Sequence, residues 1–309
     1  MSDVPPLSEL VAAELAEPVD PRVAAMAAAL AGRYPGAARA VLFYGSCLRT
    51  AALEGQMLDF YLVVSDYRAA YGRSWLARAN RLVPPNVFPF EHAGLAAKYA
   101  VLSEADFARE CGPRARSVSV WARFAQPSRL AWAADEDARR RVTAAVAEAA
   151  PTLFQLTLPM MDPRAPVAPL DIWKKGFSLT YGAELRAERT DRSAAIVDAD
   201  PERYECFGLA ALGAIAASMA VGPGGGVPLV ASPERMRRRW RGMQRKGKAL
   251  SVVRLAKASA TFAGGVDYIA WKINRHAGTE IVLKPWQRRW PLLAAVTLLP
   301  RLLKRGAIR

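Results

Sequence analysis

The chain has 309 residues, a formal net charge of +15 and a high hydrophobic content of 52%. Three widely spaced cysteines and two histidines argue against a disulfide framework, a zinc site and histidine-based activation of a nucleophile. The length allows two or three modest domains with a substantial core, and the acidic, proline-containing start predicts no secretory signal.

The N-terminal part of the chain is predicted to mix helices and strands, as in an α+β fold. A turn with the sequence Tyr44-Gly45-Ser46 follows the first strand, and Asp59 is the single acid on the second strand, which is otherwise apolar. The predicted elements are, in chain order, a polar lead over 1–20, an alanine-rich helix over 21–34, a strand over Ala40–Phe43, a short helix over Arg49–Glu54 and a strand over Leu58–Val64.

This strand–turn–helix–strand layout is typical of nucleotidyltransferases of the polymerase-β type, which carry Gly-Gly or Gly-Ser and then acid-apolar-acid on the next strand. Gly45 lets backbone N–H groups approach a phosphate, and the Ser46 hydroxyl adds a donor. Asp59 offers an oxygen ligand for Mg²⁺. The second acid of the motif would stand at Tyr61. The competing interpretation is an ordinary turn with Asp59 in a structural salt bridge.

The rest of the chain is predicted to complete the sheet and then to become helical. The predicted domains are a nucleotidyltransferase domain over 1–135, a mainly helical domain over 136–221, and a glycine-rich linker with a basic region over 222–309. The elements predicted within them are strands over Val87–Phe90 and Ala96–Val101, a helix capped by Ser103 and running through Glu110, a charged helix over Asp135–Ala149, and a buried helix over Cys206–Val221 that is too short to span a bilayer.

Five segments, in their order and spacing, resemble the Tam41 family, the mitochondrial-type phosphatidate cytidylyltransferases. The resemblance is distant and covers residues 40–190. Its departures are Cys47, Ala100 and Gln126, where the family has Gly, Gly and Lys, and Ala183-Glu184, where it has Gly-Asp. The segments are Tyr44-Gly45-Ser46, Leu58-Asp59-Phe60, Lys98-Tyr99-Ala100-Val101, Trp121-Ala122-Arg123-Phe124-Ala125-Gln126-Pro127 and Tyr181-Gly182-Ala183-Glu184-Leu185-Arg186.

The resemblance implies a polymerase-β-like nucleotidyltransferase domain followed by a helical, winged-helix-like domain, with CTP and phosphatidic acid as substrates and Mg²⁺ as cofactor. The predicted catalytic residues are Asp59, Lys98 and Arg123; the nucleotide-binding residues are Tyr44, Gly45, Ser46 and Arg186; the metal ligands are Asp59 and Glu184. The alternatives are a snorkelling Lys98, ion-paired arginines and a helix-surface Glu184. Glu91 and His92 are further candidates for the missing acid.

The positive charge is concentrated in the last quarter of the chain. Residues 235–309 contain 19 basic residues and two acids, a balance of +17, whereas the preceding 234 residues balance at −2. Trp240, Trp271, Trp286 and Trp290 alternate with these bases, which favours an anionic membrane surface as partner. The alternatives are nucleic acid and a solvated basic helix with a buried apolar face.

The sequence therefore predicts a peripheral enzyme on the cytoplasmic side of a membrane that transfers CMP from CTP to phosphatidic acid. The products would be CDP-diacylglycerol and pyrophosphate. Two alternatives remain open: a nucleotidyltransferase acting on RNA or another small acceptor, and a catalytically silent scaffold that binds anionic lipid.

Overall fold

A computed structural model describes residues 4–50, 53–164, 166–183, 192–220 and 232–261, together with Pro285. These residues form a five-stranded mixed sheet with helices on both faces, which confirms the predicted α+β class. The strands are β1 (Ala38–Tyr44), β2 (Met57–Val64), β3 (Asn86–His92), β4 (Leu95–Ser103) and β5 (Ser128–Ala133).

Helices and strands are interspersed up to β5, and the elements described after it are helical. The helices are α1 (Leu7–Ala16), α2 (Pro21–Gly32), α3 (Ser46–Thr50), α4 (Tyr67–Tyr71), α5 (Trp75–Leu82), α6 (Glu104–Cys111), α7 (Trp121–Phe124), α8 (Glu136–Ala147), α9 (Ala149–Thr157), α10 (Pro169–Tyr181), α11 (Arg192–Asp198), α12 (Pro201–Ala220) and α13 (Pro233–Thr261), with a 3-10 turn at Leu158–Met160.

The strand order across the sheet is β3-β4-β2-β1-β5. The central pair β2 and β4 is parallel, and the other three pairs are antiparallel. This register sets Asp59 of β2 between Tyr44 of β1 on one side and Lys98 of β4 on the other. Three residues that the sequence predicted for the site thus share one row of the sheet.

Each face of the sheet packs against helices. Alternate residues of β1 and β2, such as Leu42 and Tyr61, enter a large cluster that continues through Trp173 and Tyr204 of the later helices. The opposite residues, such as Phe43 and Phe60, pack with α2 in a second cluster. Because side chains alternate across a strand, Asp59 lies on the same face as Tyr61. The large cluster crosses the predicted domain boundary at residue 135.

Most predicted elements are confirmed within a few residues. Ser103 caps α6 by accepting from the Asp106 amide at 3.2 Å, and Asp135 caps α8 by accepting from the Ala138 amide at 2.7 Å. The prediction of a polar lead over 1–20 is wrong. Leu7, Val11 and Leu15 recur every fourth residue and are all buried, so this segment forms α1 against the large cluster.

The described part of the basic region belongs to the core. Met236, Trp240 and Met243 line one face of α13 and are buried in the large cluster. The indole N–H of Trp240 donates to the Leu156 carbonyl at 2.9 Å, and its ring packs edge-on against Trp121. Trp240 is therefore not the membrane-facing side chain that the sequence predicted. The other three tryptophans of that prediction lie outside the described residues.

No helix in the described part of the chain is both long and apolar enough to cross a membrane. The predicted buried helix over Cys206–Val221 corresponds to most of α12, where Phe207, Ala211 and Ile215 are buried and Leu209 is 43% exposed. The predicted glycine-rich linker lies outside the described residues.

Candidate functional site

Asp59 occupies the third position of β2, close to the end of the sheet where β1 runs into the glycine–serine turn. Its side chain is 19% exposed, and its Oδ1 atom lies 2.8 Å from Nζ of Lys98, whose side chain is 29% exposed. The pair is thus half-buried and reachable from solvent. The Lys98 ammonium contacts Oδ1 of Asp59, and Oδ2 faces the Gly45 turn.

Gly45 brings the backbone of the turn against that second oxygen. Its φ is +97°, in the region that residues with a Cβ rarely adopt. A Cβ built on Gly45 would lie 3.0 Å from Oδ2 of Asp59, closer than nearly all real Cβ contacts. The sequence therefore places glycine here for two reasons, the backbone conformation and the close approach of the carboxylate.

Ser46 and Cys47 open the short helix α3 directly after the turn. Ser46 is exposed, as a hydroxyl that donates to a ligand must be. Cys47 is buried in the second cluster, and burial, with the charge of Asp59 as a further cause, raises the pKa of its thiol. The Cys47 side chain therefore fills apolar space, and its thiol stays protonated at neutral pH.

Tyr61 fills the position of the second acid. It is 2% exposed, and its ring centroid lies 5.4 Å from that of Tyr44 and 5.2 Å from that of Phe124. Phe107 completes this aromatic cluster, 4.9 Å from Phe124. The space beside Asp59 on this face of β2 is therefore occupied by packed rings.

Tyr44 and Arg123 interact at the edge of the same cluster. Burial raises the pKa of Tyr44 well above its usual value, and the negative charge of Asp59 raises it further, while the Arg123 guanidinium opposes both. Tyr44 is therefore a neutral hydroxyl at physiological pH. Arg123 also donates to the carbonyl oxygen of Ser119. The structure thus brings together five predicted site residues: Tyr44, Gly45, Asp59, Lys98 and Arg123.

Ser46, the other predicted nucleotide-binding residue that the structure describes, directly follows Gly45 at the start of α3. Glu184 and Arg186 lie outside the described residues. Glu91 is exposed on the edge strand, and His92 stacks on Phe90 with the ring planes 4° apart. Across the described ranges, no three or more His, Cys, Asp and Glu side chains lie close enough together to hold a metal ion.

Two cations of α13, which no motif in the sequence marks, contact the elements beside the site. Arg254 donates to the Pro84 carbonyl at 2.8 Å and to the Ser119 hydroxyl at 2.7 Å, and Lys257 donates to the Val83 carbonyl. Burial, together with the charge of Arg254, lowers the pKa of Lys257 to about 8. No local pattern identifies this contact, because more than 130 residues separate Arg254 from Ser119.

The described residues could hold a magnesium ion only if the phosphates of a bound substrate supplied some of its ligands. Mg²⁺ commonly keeps several waters and takes one or two carboxylates plus substrate phosphates. Asp59 supplies one such carboxylate, with Oδ2 facing the turn. When bound there, the ion would neutralise charge on a triphosphate.

Comparison with known proteins adds no relative: neither the models of known protein families nor the curated proteins contain a match to this chain.

We expect Gly45→Ala to weaken nucleotide binding and to lower the free energy of unfolding by roughly 1–3 kcal/mol, because the new Cβ meets Asp59 and the φ becomes strained. Gly36→Ala is the matched control. Gly36 has φ +69°, but nothing lies within 4 Å of its Cβ position. Urea unfolding should show a loss in both variants, and titration with CTP should show weaker binding in Gly45→Ala alone. Equal CTP affinity in the two variants would show that the Gly45 turn does not bind the nucleotide.

Proposed function

We propose that this protein is a nucleotidyltransferase that transfers CMP from CTP to phosphatidic acid and works at the surface of a membrane. The observation that carries the proposal is the arrangement around Asp59: one carboxylate oxygen faces the Gly45 turn and the other contacts Lys98. The strand–turn–helix–strand path from β1 to β2, and the parallel partner β4 that brings Lys98, support the polymerase-β-like fold. The choice of CTP and phosphatidic acid rests on the resemblance to the Tam41 family.

The proposed reaction requires little acid–base catalysis from the protein. A phosphate oxygen of the acceptor attacks the α-phosphorus of CTP, the bond to the bridging oxygen breaks, and pyrophosphate leaves with the electron pair. The attacking oxygen is already ionised at neutral pH, so the site needs no strong general base. This fits the described contacts of Asp59, which are with the Lys98 ammonium and with the Gly45 turn.

The residues present suit a positioning and electrostatic role. Lys98 sits where it can be shared between Asp59 and an incoming phosphate, and Arg123 adds a guanidinium beside Tyr44. Cationic donors fixed before the reaction stabilise the charge that develops on the transferred group. Tyr44, being neutral, offers its hydroxyl as a donor.

The test is nucleotide and acceptor choice. With the full chain, Mg²⁺ and phosphatidic acid in mixed micelles, we expect pyrophosphate release with CTP and little with ATP, GTP or UTP. Formation of the lipid product should be followed separately by chromatography. Equal use of all four nucleotides, or product with an RNA acceptor alone, would contradict the cytidylyltransferase assignment and favour the related transferase.

A second candidate is a catalytically silent scaffold that binds anionic lipid. The observation that favours it is Tyr61, which is buried among aromatic rings where the motif has its second acid, while Lys98 already neutralises Asp59. CTP binding separates the two candidates. Saturable binding that requires Mg²⁺ supports the enzyme, and liposome binding without any CTP binding supports the scaffold.

A further inference from the structure

A cavity of about 650 Å³ lies between α13 and the loop that precedes α7. It is separate from the residues of the candidate site, since none of Tyr44, Gly45, Asp59, Lys98 and Arg123 lines it. Its size falls within the range of small-molecule sites, roughly 300–1,000 Å³. The lining residues that matter here are Arg116, Arg239, Lys246, Met243, Leu250 and Val253.

The lining divides into a cationic and an apolar part. Arg116 comes from the loop, and Arg239 and Lys246 lie two turns apart on α13; all three are exposed at the rim. None of the described lining residues is acidic. Met243 is buried at 7% exposure, whereas Val253 is 47% exposed, so an apolar wall runs from the core out to solvent.

Hydrogen bonds hold the walls in place. Arg239 donates from Nη2 to the Pro113 carbonyl at 2.7 Å, which ties α13 to the loop. At the far end of the apolar wall, Arg254 follows Val253 directly and is bonded to Pro84 and to Ser119. Ser119 also accepts the Arg123 hydrogen bond, so one chain of contacts links this wall to the candidate site.

We propose that this cavity binds an anionic phospholipid, with the phosphate against the three cations and the start of the acyl chains along Leu250 and Val253. Guanidinium and ammonium groups bind phosphate oxygens through charge-assisted hydrogen bonds, and apolar side chains shield the hydrocarbon from water. The cavity is independent of the nucleotidyltransferase proposal.

The binding test uses the full chain in EDTA, with three soluble probes: dihexanoyl phosphatidic acid, dihexanoyl phosphatidylcholine and inorganic phosphate. Calorimetric titration should show saturable binding of the phosphatidic acid. Binding of the other two probes should be weaker by about tenfold or more, because phosphatidylcholine has no net negative charge and inorganic phosphate has no acyl chains. Phosphatidic acid is also the acceptor in the proposed reaction, so the cavity variants, and not wild-type binding alone, decide whether the lipid binds here.

Charge reversal at the rim gives the sharper comparison. Arg116→Glu with Lys246→Glu should lower the affinity for phosphatidic acid by about tenfold or more. The matched control is Arg245→Glu with Lys248→Glu, which makes the same charge change at exposed positions of α13 that do not line the cavity. An equal loss in the control pair would mean diffuse attraction to a basic helix and would overturn the proposal.

The apolar wall is tested separately. Leu250→Gln with Val253→Gln should weaken lipid binding and leave phosphate binding unchanged. If this pair has no effect on the lipid, or if inorganic phosphate binds as tightly as the lipid, the cavity is a plain anion site and the proposal fails. It also fails if a single-stranded oligonucleotide displaces the lipid at lower concentration than the lipid itself binds. Thermal unfolding of each variant should match wild type, since the changed side chains lie at or near the surface.

Discussion

Asp59→Asn is expected to lower nucleotidyl transfer by about 10²–10³-fold, the usual cost of removing one key electrostatic group. The substitution keeps the size of the side chain and removes its charge. The fold should be retained, because the ion pair with Lys98 is partly exposed and such pairs contribute about 1 kcal/mol or less. Turnover is measured with CTP and phosphatidic acid, and stability by urea unfolding of the same preparations.

Glu91→Gln is the control for this experiment. Glu91 is an exposed acid on the edge strand of the same sheet, so the change removes the same charge without touching the Asp59–Lys98 pair. Its turnover should equal that of wild type. Should Asp59→Asn retain more than about a tenth of wild-type turnover, Asp59 is a structural partner of Lys98 and the catalytic assignment is wrong.

The double variant Asp59→Asn with Lys98→Met distinguishes the two roles further. If the pair is structural, Lys98→Met alone leaves a half-buried carboxylate unpaired, and the double variant recovers the lost stability. If Asp59 and Lys98 act on a substrate phosphate, turnover falls in both single variants, and the double variant does not recover the lost turnover. The comparison uses stability and turnover together, so a folding defect is not mistaken for a catalytic one.

Arg203→Met is expected to lower the free energy of unfolding by about 3–5 kcal/mol, because it leaves a buried carboxylate without its counter-charge. Arg203 of α12 donates to both oxygens of Glu14 in α1, through Nε and, at 3.0 Å, through Nη2. Both side chains are only 9% exposed. The same carboxylate accepts from the Ser128 amide of β5 at 3.4 Å, so one buried acid connects two helices and a strand.

The exposed pair of Arg22 with Asp20 is the matched control. Arg22→Met should leave the free energy of unfolding almost unchanged, since Arg22 is 48% exposed and solvent screens its pair with Asp20. Replacing both buried partners, as Glu14→Leu with Arg203→Met, should restore much of the stability, because two apolar side chains leave no buried charge. A loss below about 1 kcal/mol in Arg203→Met would show that water reaches the carboxylate and that the pair does not hold α12 to the sheet.

Local patterns in the sequence were sufficient for the elements around the site. Nearly continuous apolar runs with one charged residue each define β2 and β4, and capping residues mark the starts of α6 and α8. The spacing of Leu7, Val11 and Leu15 also carried the signal for α1, but the prolines and acids around it suggested an irregular lead. Strand β5 was missed because its six residues become a strand only through pairing with β1, over 80 residues earlier.

Long-range packing decides what the sequence could not show. Asp59 stood out as one acid on an apolar strand, whereas its pairing with Lys98 depends on the register of two strands 39 residues apart. Trp240 follows a run of arginines, and composition alone cannot distinguish a tryptophan at a membrane from one that reaches the Leu156 carbonyl in the core. The role of Tyr61 likewise required the positions of Tyr44, Phe107 and Phe124.

The position of β3 at the border of the sheet has a consequence for self-association. An unpaired strand edge presents a row of N–H and C=O groups on which another chain can add a strand, and long regular edges promote aggregation. Pro89 interrupts this row because it has no N–H, and on edge strands proline is tolerated where that missing donor faces solvent. Glu91, two residues further on, adds an exposed charge. The outer edge of β3 is thereby a poor template for a sixth strand, which disfavours extension of the sheet by another chain at this border.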